Sequence, residues 1–564
     1  MLIFNQKHFV LSISLPVLQI FSCTARYISS FYIHDSVMAS NVEEKLKLKR
    51  EVGLISAVSL VAGTMIGSGI FMSPQFVMFH VGSPGASLII WAVCGLVTLC
   101  AALTYVELGT IFRESGGEFI YILRIYGSLP AFFVAFTFII VVKPGGVAAI
   151  ALSFAQYAVA PFYAGCTPPT LVVKCIAAAC IFVVATVNIL NVRFAMAIQL
   201  IFLVAKVVGL MVIVIGGIVT MAQNGLESLG PPDISFQGTT LGVSQIGMAL
   251  YQGLWSFAGW YSLNFVLEEV KKPEVNLPRA IMIAIPMVTI FYLLVNISYL
   301  AVLTPKEMMV SNAIAVTWGN KVLGSWGWVM SIAAALSSFG TLNGSFFAGG
   351  RICFVAAREG HMPGILSMAH VQRLTPTPSL IFTTIISLIV LIPGDFQKII
   401  NLFSFTSWFF YGVTVSGLLY LKIKKSDLPQ AYKNSATPPA LSSVYVFSHT
   451  PQETGRGGLT GLRLPRRRSF TPLPLSQIIS SFEVHAHKVP IFIPILVLLM
   501  AVFLVLAPII DDPQLEYLYV TLFILSGTLI YFPFIHFKLC PGLLDKLTVF
   551  LQLFLEVAPV DKNI

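Results

Sequence analysis

Long apolar runs separated by short polar or basic connectors make up most of the chain. A helix needs about 20 apolar residues to cross a hydrocarbon core of about 30 Å. Runs of that order lie at 54–79, 86–111, 128–158, 171–190, 197–222, 241–267, 280–303, 324–350, 379–394, 397–421, 489–510 and 515–536. They predict an all-α polytopic membrane protein of about 12 transmembrane helices, with Pro393, Gly394 and Asp395 marking the junction of the ninth and tenth runs. An even number of crossings puts both chain ends on one side.

The connectors say which side. Basic residues gather before run 1 (Lys45, Lys47, Lys49, Arg50) and after runs 2 (Arg113, Arg124) and 4 (Arg193). They recur after runs 6 (Lys271, Lys272, Arg279), 8 (Arg351, Arg358, Arg373) and 10 (Lys422, Lys424, Lys425). The alternate loops 80–85 and 223–240 hold no Lys or Arg, and 511–514 reads Asp-Asp-Pro-Gln. Loops rich in Lys and Arg stay in the cytoplasm, so both termini are expected there. Composition agrees: of 564 residues 57% are hydrophobic and 10% charged, with a mean hydropathy of +0.86. Soluble domains carry about 25% charged residues. The net charge of +10 follows from the loop asymmetry and gives no reason to invoke nucleic acid.

This pattern divides the chain into an N-terminal cytoplasmic segment (1–53), a ten-helix core (54–421), a cytoplasmic loop (422–488), helices 11 and 12 (489–536) and a cytoplasmic tail (537–564). Two stretches fit poorly. Residues 1–37 carry an apolar run from Phe9 to Phe21 ahead of a start-like Met38, and read as an aberrant extension. Residues 434–487 are rich in Ser, Pro and Thr, lack periodicity and read as a low-complexity cytoplasmic insert.

Candidate chemistry lies in two interrupted helices. Run 1 contains Gly63-Thr64-Met65-Ile66-Gly67-Ser68-Gly69-Ile70-Phe71, and run 6 contains Gly253-Leu254-Trp255-Ser256-Phe257-Ala258-Gly259-Trp260. Glycines at membrane depth let a helix unwind, and unwound backbone in a membrane must line a cavity. Free N–H groups at a half-helix start favour a carboxylate, and free carbonyls favour an ammonium group. Such a pair suits a zwitterionic α-amino acid. Close packing of helices through small residues is the competing explanation of the same glycines. Runs 1 and 6 stand five apart, the spacing of two inverted five-helix repeats.

The run-1 motif Gly63–Phe71 resembles that of the L-type (LAT) light chains of heteromeric amino-acid transporters, in the amino acid–polyamine–organocation superfamily. Glu107-Leu-Gly-Thr110, Ser115-Gly-Gly-Glu118, Asn264-Phe-Val-Leu-Glu-Glu269, Asn276-Leu-Pro278 and Arg358-Glu-Gly-His361 extend the likeness. Within that family, Phe162-Tyr-Ala-Gly-Cys166 and Ile392-Pro-Gly-Asp395 are most similar to the b(0,+)-type cystine and neutral/dibasic exchangers. Ala258-Gly-Trp260 and Val295-Asn-Ile-Ser-Tyr299 are similar to the cystine/glutamate branch. The resemblance implies a LeuT-like fold, a 5+5 inverted repeat plus two extra helices with helices 1 and 6 broken, and sodium-independent obligatory exchange. It places Thr64, Ile66, Gly67, Ser68, Gly69 and Ile70 at the substrate carboxylate. Trp255, Ser256 and Phe257 would supply carbonyls and an aromatic gate, and Ala258 would face the substrate side chain.

The b(0,+)-type proteins have an aspartate where this chain has Ala258. A buried substrate cation needs such a partner, so the reading is an antiporter of cystine and neutral amino acids, with an anionic exchanger as the alternative. Lys143, inside run 3, bears on that alternative as a substrate contact, or else as a lysine snorkelling to an aqueous vestibule. By resemblance Lys206, in run 5, stands where relatives bind sodium. Asn343, in the small-residue run Gly340–Gly344, would complete the cavity or serve packing. Cys166 falls in an outward loop, where disulfides persist. By resemblance it joins a single-pass type II glycoprotein heavy chain at the plasma membrane, apical in epithelia. The sequence shows no HExxH, no GxGD and no paired metal-ligand spacing, so an enzyme, a cofactor and a metal site are not expected.

Overall fold

The computed structural model describes residues 50–163, 168–225, 230–240, 242–311, 313–424, 489–511, 515–537 and 541–559. The stretches 1–37 and 434–487 and Cys166 lie outside them. Contacts divide the chain into a large unit, Leu48–Ala558 with the last two residues, and a small one, Met1–Lys47 with Pro559–Lys562, of which only Pro559 is described.

Every apolar run is helical. In chain order the helices are α1 (Leu54–Met65), α2 (Gly69–Val81), α3 (Pro84–Ile111), α4 (Glu118–Tyr126), α5 (Ser128–Thr137), α6 (Lys143–Val159), α7 (Thr170–Leu190) and α8 (Val192–Asn224). They continue as α9 (Val243–Ser256), α10 (Pro273–Val302), α11 (Trp328–Arg358), α12 (Thr377–Leu391), α13 (Phe396–Ile423), α14 (Phe492–Asp511), α15 (Leu515–Ile530) and α16 (Pro541–Leu555). Among the described residues eight helices are long and apolar enough to cross a membrane, and α1 with α2, bent by 41°, makes a ninth span. The other three runs fall short for local reasons: α9 stops after 14 residues, α12 has 15, and α11 carries Ser, Thr, Asn and Arg along its 31.

The breaks have identifiable causes. Gly82, at φ +75°, ends α2, and Pro84 opens α3 at its first turn, where no donor is lost. The Asp395 carboxylate accepts from the backbone N–H groups of Gln397 and Lys398 and caps α13. Pro144 lacks an N–H for the helical ladder, and the turn before it, Phe138–Val142, widens to a π-helix that joins α5 to α6.

Two packed groups result. In one, α9 lies on α2, and α10 on α1 and α3; in the other, α6 lies against α7, α11 and α12. α8 touches α1, α10 and α11, and so spans both groups. Runs 1, 2, 6 and 7 form the first group and runs 3, 4, 8 and 9 the second, the grouping that a five-run repeat expects. On the side that bears the basic loops, Val52 pairs with Val270 in a parallel bridge, and Arg351 and Arg358 hold Glu269 and Glu268.

Candidate functional site

The two broken helices meet. α1 ends at Met65 and α2 starts at Gly69, and the chain between is extended at Ile66 (ψ 90°). α9 ends at Ser256, and a run of turns leads to a short helix at Ser262–Phe265. A Cβ on Gly67 would lie 2.6 Å from Thr341 Oγ1, and one on Gly69 would run into the Ser256 backbone. A Cβ on Gly259, whose φ is +107°, would lie 2.7 Å from Thr64 Cβ. The glycines therefore serve both purposes weighed from the sequence: they let the helices unwind, and they let the two breaks touch.

Between the breaks is a cavity lined by Thr64, Gly67, Ser68, Gly69, Trp255 and Ala258, with Lys143, Tyr261, Thr341, Ser345 and Phe403 around it. About 50 Å³ is open to the centres of water molecules, room for a few waters at roughly 10–15 Å³ each. A vestibule of about 1000 Å³ opens on the side away from the basic loops, between Ser244, Gln245 and Met248 of α9 and Gln397, Lys398 and Asn401 of α13. Farther along the same two helices, Trp255 and Phe403 pack edge to face at 5.0 Å between ring centroids. Both rings line the cavity, and neither lines the vestibule.

Five of the residues expected at the site stand one layer back. Ile66 and Ile70 are fully buried, and the Ile66 carbonyl accepts from Thr341 Oγ1 at 2.9 Å. The Ser256 carbonyl takes the Tyr292 hydroxyl at 2.8 Å. Phe257, expected at the gate, packs on Trp91 and Tyr292, and Trp255 takes the cavity-facing place. Asn343 points to an amide cluster: it donates to Gln199 Oε1 at 3.1 Å and to the Ala195 carbonyl at 3.0 Å, and accepts from Asn188 at 2.9 Å. Helix geometry explains the last displacement. Residues at i, i+4 and i+7 share a face, so Thr341, Ser345 and Ala348 line the cavity and Asn343, two positions on from Thr341, faces away. That periodicity was readable in the sequence; the identity of the facing helix was not.

Lys206 is 1% exposed and donates from Nζ to the Gly63 carbonyl at 2.5 Å and to Thr341 Oγ1 at 2.8 Å. It thus ties the C-terminal end of α1 to α11 from α8. Lys143 Nζ sits 4.3 Å from the Tyr261 ring centroid and 4.1 Å from that of Phe265, a cation held by aromatic faces.

The motifs quoted for the family likeness converge on the basic side. Arg358 bonds Glu268 at 2.6 Å, and the Ser115 N–H and hydroxyl bind the Glu268 carboxylate and N–H. Glu107 holds Lys422 at 2.7 Å and the Val489 N–H at 3.0 Å. Burial lowers the His361 imidazole below its ordinary pKa, and its Nε2 meets Ser128 Oγ at 2.8 Å.

Comparison with known proteins agrees. The chain is 42% identical over 518 residues to the human b(0,+)-type amino acid transporter 1, covering 92% of this chain and 94% of that protein. It is 40% identical over 401 residues to the human cystine/glutamate transporter (71% and 79% covered). It is 42% identical over 400 residues to the mouse large neutral amino acids transporter small subunit 2 (71% and 75%). The family model for amino acid permeases matches residues 52–532, and the chain, a multi-pass helical membrane protein, belongs to that family.

Proposed function

We propose that this chain is the transport subunit of a sodium-independent, obligatory exchanger of cystine and neutral L-amino acids. The observation that carries the reading is the meeting of two unwound helix segments at one cavity. Helix α2 begins at Gly69 and turns its first N–H groups and positive dipole end toward a carboxylate; the carbonyl ends of α1 and α9 suit an ammonium group. Thr64, Gly67, Ser68 and Gly69 would bind the substrate backbone, and Trp255 with Phe403 would gate it. Ala258 would leave room for the side chain. Lys206 stands in for a coupling sodium, because its ammonium already bridges Gly63 and Thr341. The basic side is read as cytoplasmic, in the plasma membrane, with both termini there. Cys166 would join a single-pass type II glycoprotein heavy chain.

A second reading, an anionic amino-acid exchanger, rests on Lys143 lining the cavity. Radiolabelled uptake into proteoliposomes holding the chain with its heavy chain separates the two. Cystine and leucine uptake that needs internal amino acid but no sodium is expected; glutamate uptake lost in Lys143→Ala would select the second reading, and no uptake at all would refute both. The same assay tests Ala258. Ala258→Asp puts a carboxylate in the cavity wall, and the arginine-to-leucine uptake ratio is expected to rise by at least ~10-fold, the effect of one partly desolvated ion pair of about 1.4 kcal/mol.

A further inference from the structure

Lys143 is the one lysine on the cavity wall among the described residues, and a bare ammonium there would recruit anionic substrates. Its surroundings do not leave it bare. Glu118, the first residue of α4, is 0% exposed, and the side-chain donor beside its carboxylate is the neutral Tyr105 hydroxyl. A fully buried carboxylate met only by neutral hydroxyls still needs a counter-charge to stay ionised. The Phe265 ring touches both Lys143 and the residue before Glu118. Lys143 Nζ is over one part of the ring at 4.1 Å, and a Cβ on Gly117, next to Glu118, would lie 2.8 Å from its edge. The Gly117 N–H donates to Asn264, adjacent to Phe265 in the chain, at 3.2 Å. Among the described residues, Glu118 is the carboxylate close enough to oppose the Lys143 charge. Among the described residues the other groups near Glu118 are the hydroxyls of Tyr105, Tyr121, Tyr261 and Tyr411, which bring no positive charge.

We infer that Glu118 is a positioning residue for substrate specificity: its buried carboxylate neutralises Lys143 across Phe265, and so denies anionic amino acids a counter-ion in the cavity. The inference rests on the exchanger reading above and deepens it. Lys143 is thereby part of a neutral pair, and the cavity selects side chains without net charge. Removing the carboxylate leaves the ammonium uncompensated, and the side-chain carboxylate of a glutamate substrate becomes its partner.

The test is the ratio of glutamate to leucine exchange in proteoliposomes holding the full complex. In Glu118→Gln the ratio is expected to rise at least ~10-fold, with leucine exchange retained. Adding Lys143→Ala to Glu118→Gln should return it to the low value, and Glu118→Asp, which keeps the charge, should stay near wild type. Loss of packing alone would not move a ratio in this sense. Wild-type leucine exchange together with an unchanged ratio in Glu118→Gln overturns the inference and leaves the exchanger reading standing. A wild-type protein that exchanges neither leucine nor cystine overturns that reading and, with it, the inference. If Glu118→Gln does not reach the membrane, the same ratio is read in Glu118→Asn and Glu118→Ala, and a ratio unchanged from wild type in whichever variant exchanges leucine overturns the inference.

Discussion

Gly69→Ala is expected to cut exchange by at least ~10-fold, and Gly69→Val by ~100-fold. The added Cβ would run into Ser256 Cα, which is backbone and cannot rotate aside. Overpacking of this kind costs about 1–3 kcal/mol, and each 1.4 kcal/mol is tenfold in an equilibrium. The loss would fall on substrate binding, because Gly69 starts the half-helix whose N–H groups are assigned to the carboxylate. Gly145→Ala is the control: its Cβ would find only Ile399 at 3.5 Å, an ordinary contact. Leucine exchange measured in parallel for the two alanine variants checks the difference. Equal activity would mean that the breaks need not touch.

The second large effect is on stability. Arg351 is 1% exposed and binds Glu269 through Nε at 2.8 Å and Nη2 at 3.2 Å; its Nη1 donates to the Phe347 carbonyl at 3.0 Å. Arg351→Ala would leave Glu269 buried without its partner, at a cost of about 3–5 kcal/mol. Thermal unfolding of the purified protein should show a clear fall in Tm. The double variant Arg351→Met/Glu269→Met removes both charges and should recover most of the loss. Because the Glu269 carbonyl and the Lys271 N–H hold Val52 at 3.0 and 2.9 Å, the same fall should loosen the segment ahead of α1. Hydrogen exchange at Val52 reports that directly.

What the sequence disclosed and what it did not follow from the range of each signal. Apolar runs are local, so the helices, and the breaks at Gly67-Ser68-Gly69 and after Ser256, were readable from residue order. The pairing of the two breaks followed from their five-run spacing. Contacts between distant segments were not readable. Nothing local says that Phe403 meets Trp255, that Thr341 meets Gly67, or that Lys143 and Gly117, the residue before Glu118, meet one phenylalanine. Asn343 shows the limit most clearly. Its polarity and depth suggested the cavity, and its helical phase turned it to Gln199 and Asn188 instead. Phe257 is placed by a similar effect: helix α9 ends one residue before it, and the turn directs its ring onto Trp91 and Tyr292. Lys206 was different. A lysine in the middle of an apolar span calls for a partner on sequence grounds alone, and the partner is the carbonyl end of a broken helix.

The central claim is that the cavity between the two broken helices holds the amino acid. The most direct measurement is substrate protection of a thiol placed there: Ser345→Cys, on the cavity face of α11, reacted with a small thiol reagent in reconstituted complex. Leucine is expected to slow the reaction in a saturable way at the concentrations that drive exchange, and arginine should protect far less. Leucine exchange that persists while leucine leaves the reaction rate of the introduced thiol unchanged would place the substrate elsewhere and contradict the account.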